Sequence, residues 1–271
     1  MKCILIKRKF SIEATAYPVM VYENIKVSER DGISTIYLNR PEKMNALTLE
    51  MVEELIEYLD SKKNSDTKVI IIRGEGKHYC SGADISAFTK MSPQEGHEFH
   101  LRLNDLAIKI RNFSRPVIAM LHGYSMGGGL EIAESADIRI AAESAVIAQP
   151  EINIGINAGA GGNVILPRLV GRGMAMYLIL TGERISARKA MEIGLVDLVF
   201  PDQVVEEEIM KLASKIRDMP SQTVIYAKMA VTRGSEIPVE SALGYEAALF
   251  GLLFSDKETK SRLDKFMGRG K

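Results

Sequence analysis

Apolar residues fall along the chain in short runs of strand length, and between them polar stretches repeat with a helical period. Val21 to Val27 and Gly32 to Leu38 read as two strands, and the Asp31-Gly32 pair between them is a hairpin signal. Val69-Ile70-Ile71-Ile72 is a continuous apolar run closed by Gly74 and Gly76, as a strand buried on both faces would be. Pro116 to Leu121, Asp137 to Ala142, Ala145 to Ala148 and Leu195 to Phe200 complete the strand set. Between them, Leu49, Val52, Leu55, Ile56 and Leu59 form one stripe of a helix that Thr48 can cap. Ser92 to Phe113, Gly173 to Thr181 and Ala187 to Ile193 are further helices, the last stopped by Gly194. A helix from Pro201-Asp202 to about Asp218 follows, and everything after Pro220 reads as helical through Lys271. Strands alternating with helices, then a helical tail, predict an α/β core with an appended α region. The core spans 20–200 and the helical region 201–271, with no linker rich in Pro, Gly or Ser to force a two-domain split.

Composition narrows the function. Basic and acidic residues balance at 35 each, so no global field recruits nucleic acid or an anionic membrane. The longest apolar runs fall far short of the roughly 20 residues that span a bilayer. Two cysteines, Cys3 and Cys80, make a disulfide framework a poor expectation and a reducing, cytoplasmic compartment the natural one. The apolar run Met1 to Ile6 meets Lys7-Arg8-Lys9 at once and is too short for a secretory signal. Residues 1–19 therefore read as an N-terminal extension, and Met20 opens the first strand pattern.

The stretch with the most chemistry runs from Arg115 to Pro167. After the strand at Pro116 to Leu121, turn residues His122 to Met126 lead into Gly127, Gly128 and Gly129, and a helix follows. Without Cβ atoms a ligand can approach this backbone closely, and the first N–H groups of a helix have no partner within it. Those donors, with the positive end of the helix dipole, stabilise an oxyanion. Glu131 lies in that helix, and a second carboxylate, Glu151, follows in Gln149-Pro150-Glu151. Oxyanion donors plus two glutamates point to an enzyme that makes and protonates an enolate.

Other motifs carry less. His78 and Cys80 have no third orienting group nearby in sequence, so a thiol nucleophile is a poor reading. His97 and His100 lack the spacing of a zinc helix and read as a solvated helix face. Gly159-Ala160-Gly161-Gly162 lacks the glycine spacing of a dinucleotide fingerprint, and Pro167 interrupts the helix after it.

From about Met20 to Phe266 the chain resembles the enoyl-CoA hydratase/isomerase (crotonase) superfamily. The resemblance rests on Asn39 to Leu47, Cys80 to Ile85, Arg115 to Ala119, Gly127 to Ala133, Gln149 to Gly155 and Gly159 to Gly162, six segments in order. It implies a crotonase-like core of repeated ββα turns wound as a spiral, and a C-terminal α-helical trimerisation region, often with two trimers in a hexamer. It also implies an acyl-CoA thioester substrate, with no metal and no cofactor apart from the coenzyme A of the substrate itself. Backbone N–H groups of Ala83 and Gly128 would form the oxyanion hole. Glu131 would activate water and Glu151 would exchange the C2 proton. Lys43, Ala46, Ala83, Asp84, Ile85 and Gly128 would line the coenzyme A site. Isomerase branches commonly keep only the Glu151-type acid, so the pair favours an enoyl-CoA hydratase. A Δ3,Δ2-isomerase, another enolate chemistry such as thioester hydrolysis or decarboxylation, and a non-catalytic RNA-binding or scaffold protein are the competing readings. Neutral net charge and the presence of both glutamates speak against the last.

Some positions depart from the family pattern. Glu134 stands where relatives usually have an apolar residue; it could face solvent, face a neighbouring subunit or perturb Glu131 as a like charge, and the expectation is solvent or a subunit neighbour. Ser86 replaces a common lysine, Asn157-Ala158 replaces a pairing that ends in proline, and Gly268 to Lys271 ends short of a terminal aromatic. The last departure weakens the expected coenzyme A contact at that end.

Overall fold

The computed structural model describes residues 22–268, so the extension at 1–19 lies outside the described residues. Strands β1 (Ile25–Arg30) and β2 (Ile33–Leu38) form an antiparallel hairpin. Its turn places Asp31 and Gly32 at positive φ, 51° and 76°, which is the conformation an Asp-Gly pair adopts at little cost. Helix α1 (Leu49–Lys62) starts where Thr48 accepts the Met51 N–H at 3.2 Å, and it buries Val52, Leu55, Ile56 and Leu59. Leu49, counted in the stripe, is exposed: it is the first residue of the helix, ahead of the turns that settle on the sheet.

Next come β3 (Val69–Gly74), α2 (Pro93–Asn112), β4 (Val117–Leu121), β5 (Tyr124–Met126) and α3 (Gly128–Glu134). Helix α2 opens with a reciprocal capping box between Ser92 and Glu95. Then follow β6 (Ile138–Ala142), β7 (Val146–Ala148), α4 (Leu166–Val170), α5 (Arg172–Thr181), β8 (Ile185–Ser186), α6 (Ala187–Glu192) and β9 (Leu198–Phe200). The chain ends in α7 (Val205–Arg217), α8 (Ser221–Gly234), α9 (Val239–Leu253) and α10 (Lys257–Phe266). The tail after Pro220 is thus three helices rather than one run. Pro238 cannot continue α8, and Asp256 caps α10 through the Thr259 N–H at 2.8 Å.

The large sheet has the order β1-β2-β3-β4-β6-β9, parallel except for the edge hairpin, and β5, β7 and β8 make a second, small sheet. A bridge between Cys80 and Ser125 joins the segment after β3 to the small sheet. The first turn gives both its strands to the large sheet, and the turns β4-β5-α3 and β6-β7 each give one strand to the large sheet and one to the small sheet. That is the expected ββα spiral. Alternate residues of β3 serve two cores. Ile70 and Ile72 pack with α1, α2 and α3, while Val69 and Ile71 pack with Val205, Ile209 and Ala213 of α7. Among the described residues no helix is long and apolar enough to cross a membrane.

Candidate active site

Two loops are stitched together above the carboxyl ends of the large sheet. Leu47 N–H donates to Gly82 O at 2.8 Å and Asp84 N–H to Leu47 O at 2.7 Å. Buried Asn45, at φ 56°, ties the first loop down by donating to Glu75 O and His78 O at 2.9 and 2.7 Å. Both terminal nitrogens of Arg40 donate to Asp84 at 3.0 Å, and one also reaches Ala46 O at 2.7 Å. Asp84 further caps a short 3-10 turn, Ile85–Lys90, by accepting the Ser86 N–H, and these bonds hold its carboxyl below the usual range.

The stitched loops set Ala83 beside the start of α3. A Cβ built on Gly128 would stand 3.6 Å from the Ala83 nitrogen. Gly128 N–H is the first of the helix, and among the described residues neither it nor Ala83 N–H has a hydrogen-bond partner. Two neighbouring free amides can hold one developing oxyanion. Gly127 has φ +52°, and a Cβ there would fall 2.7 Å from Oε1 of Glu151, so both backbone and neighbour demand glycine.

Glu131 is 2% exposed, and its Oε1 accepts the N–H groups of Ala160 and Gly162 at 2.8 and 2.7 Å. Its pKa is raised by burial, against the lowering effect of amides from Gly162, Ala160 and Gly159. Glu151 accepts from Gln149 Nε2 at 3.1 Å through Oε1, while its buried Oε2 is unpartnered among the described residues. Burial first, and the charge of Glu131 second, push the Glu151 carboxyl up to about 7. One carboxyl is fixed by amides, and the other is poised to gain or lose a proton near neutrality. Sequence reading found both glutamates and missed the Ala160 and Gly162 donors, because nothing local links them to position 131.

Two expectations about neighbouring residues need correction. Glu134 faces neither solvent nor a partner: it is 1% exposed, and both carboxyl oxygens lack a partner among the described residues. The physical reason is that all seven residues of α3 are buried, so the helix has no outer face. Burial, with the Glu131 charge adding to it, holds the Glu134 carboxyl well above the ordinary range. His97 is exposed as read, but His100 is half-buried and lies against Gly159. Cys80 is buried with its thiol pushed up to about 12, which removes it as a nucleophile.

A cavity of about 520 Å³ opens beside Glu151, lined by Lys43, Ala46, Ala83, Asp84 and Ile85 of the expected coenzyme A site; of that set Gly128 is not in the lining, and Glu131 is not either. A larger one of about 930 Å³ lies between the start of α1 and α2, is mostly apolar, and shares Asp84 and Phe88 with the first. Neither glutamate lines the larger cavity, so size alone does not mark the chemistry.

The profile of the enoyl-CoA hydratase/isomerase family matches residues 28–271. A crotonyl-CoA hydratase of Syntrophomonas wolfei is 35% identical over 93% of this chain and 98% of its own length. A short-chain-enoyl-CoA hydratase of Clostridium acetobutylicum is also 35% identical, over 93% and 97%. Among solved structures, an enoyl-CoA hydratase of Thermoplasma volcanium superposes with a TM-score of 0.85 at 47% identity, covering 89% of this chain and 96% of the other. One from Bacillus anthracis gives 0.88 at 34% identity, covering 92% and 97%. The chain belongs to the enoyl-CoA hydratase/isomerase family and has its crotonase fold. Within the family it falls in the enoyl-CoA hydratase branch.

Proposed function

We propose that the chain adds water reversibly across the C2=C3 bond of a short- to medium-chain 2-enoyl-CoA, giving the 3-hydroxyacyl-CoA. The observation that carries this reading is one buried, amide-held carboxyl and one carboxyl with a pKa near 7, both beside a pair of free backbone amides. Ala83 and Gly128 N–H bind the thioester oxygen and stabilise the enolate more than the ground-state carbonyl, where one such donor is worth about 3 kcal/mol. Ionised Glu131 takes a proton from water as the oxygen bonds to C3. Protonated Glu151 gives its proton to C2, and the two carboxyls exchange the remaining proton to reset. Lys43, Ala46, Asp84 and Ile85 form the mouth that receives coenzyme A, and the chemistry calls for no further cofactor.

The same reading includes a trimer or a hexamer of two trimers. Helix α9 is rich in apolar residues yet buries only Leu249, leaving Leu243, Phe250 and Leu252 exposed, which suits a subunit contact. A free, buried Cys80 fits the reducing cytoplasm assigned from composition. Loss of the conjugated enone absorbance of crotonyl-CoA tests the activity. Rapid double-bond migration without net hydration would replace the hydratase reading with an isomerase.

A further inference from the structure

Gly159 owes its missing Cβ to a residue far away in sequence. Its φ is not among the positive ones, yet a Cβ there would stand 1.7 Å from both Cδ2 and Nε2 of His100. The three atoms nearest to that point all belong to the imidazole. The ring is itself fixed. Its Nδ1 lies 3.1 Å from Gly96 O one turn back in α2, and because a carbonyl can only accept, Nδ1 carries the proton. Nε2 is then the bare nitrogen on the edge that meets Gly159. Phe99 packs edge-on against the same ring, with centroids 5.9 Å apart. Burial, and then the electrostatic effect of His97, lower the His100 pKa.

Gly159 opens the loop whose next residues, Ala160 and Gly162, donate to Glu131 Oε1. The rest of that loop is held from its far end. Asn163 Nδ2 reaches Ala158 O at 2.8 Å, and Val164 and Ile165 donate to Gly161 O at 2.7 and 2.6 Å. At Gly159 itself the imidazole packs against the backbone, next to the Ala158 carbonyl that Asn163 holds. We propose that His100 is a positioning residue for Glu131: its ring edge closes on Gly159 and sets the height of the two amides that hold the carboxylate. The proposal rests on the reading of Glu131 as the group that activates water. It adds a specific coupling between α2 and the catalytic carboxyl through a side chain that touches no reacting atom.

The test is a set of variants assayed for crotonyl-CoA hydration, with KM and C2-proton exchange read in parallel. A 1 Å displacement of a reacting group can cost about a hundredfold in rate. His100→Ala is therefore expected to lower kcat by roughly tenfold or more, with KM within about threefold. Exchange of the C2 proton, assigned to Glu151, should fall much less than hydration. Gly159→Ala should be worse than His100→Ala, and the double variant should recover much of that loss because the new methyl fits the vacated space. In a Glu131→Gln background, His100→Ala should add almost nothing, since both changes disable one unit. A general folding defect would instead multiply with Glu131→Gln and lower both activities alike. Should Gly159→Ala fail to fold, the cycle with Glu131→Gln still decides. Wild-type kcat in His100→Ala, or fully multiplicative losses with Glu131→Gln, would overturn the positioning role. Near-normal hydration by Glu131→Gln itself would instead overturn the underlying reading of the site.

Discussion

Glu131 and Ala160 are 29 positions apart, yet the Ala160 amide stands 2.8 Å from Glu131 Oε1. That contact, doubled by Gly162 at 2.7 Å, fixes the carboxyl proposed to activate water, with no charged hydrogen-bond partner among the described residues. Cationic neighbours would stabilise the carboxylate and weaken it as a base, whereas amide dipoles hold its position while burial keeps its pKa raised.

Glu131→Gln keeps an oxygen that can accept from both amides, so placement survives and the charge does not. We expect kcat to fall by about 10²–10⁴ with little change in acyl-CoA binding, as suits loss of a general base. Combining it with Glu151→Gln should cost much less than the product of the single losses. Steady-state kinetics with isothermal titration of a product analogue reads both quantities, and multiplicative losses would separate the two carboxyls into independent roles.

Glu151 sets the pH response. Burial and the Glu131 charge push its carboxyl up to about 7, and the proposed hydration requires it protonated, so kcat/KM for hydration should fall as pH rises through that value. Burial is the larger cause of the raised pKa and the Glu131 charge the second. In Glu131→Gln the residual alkaline limb should therefore move to lower pH without reaching an ordinary carboxylate value. A limb that stays put would show that the two charges do not interact.

Glu134 makes a stability prediction whose sign follows from its proton. In the fold its carboxyl stays protonated well above 4.5, and in the unfolded chain it ionises near that ordinary value. Stability linked to this proton is complete below the unfolded pKa and declines as pH rises above it, by about 1.4 kcal/mol per pH unit for one proton. Glu134→Leu removes that slope. Thermal melts of variant and parent should diverge more at pH 8 than at pH 5. Equal differences at both pH values would mean that Glu134 is ionised in the fold.

Assembly can be checked at Phe250, which is 62% exposed on the apolar α9. Light scattering should find a trimer or hexamer, and Phe250→Asp should shift it toward monomer by placing a charge in a contact. A parent chain that is monomeric at micromolar concentration would remove the quaternary part of the proposal.

Local signals were the legible part of this molecule. Thr48 capping α1, Asp31-Gly32 turning the hairpin, the unbroken Val69 to Ile72 run and the glycines before Glu131 each announce themselves within a few residues. What stayed hidden is long-range. Asn45 anchoring on His78, Ala160 holding Glu131 and His100 seating on Gly159 join segments that no period or spacing connects. Glu134 misled for a related reason. A charged residue one turn beyond another reads as a polar face, and only the packing around α3 shows that no such face exists. The last strand also starts at Leu198, later than its apolar run, because Leu195 and Val196 close the α6 turn by donating to Ala190 O.

The wholly enclosed α3 has a consequence for substitution. Most helices possess a solvent face as well as a packed one, so tolerance to substitution rises and falls with each turn. From Gly128 to Glu134 every position meets protein, and that oscillation has nowhere to occur. The residue proposed to activate water and the scaffold that carries it are therefore tied to one another: a change of side-chain volume anywhere along this helix must be accommodated by the elements that surround it.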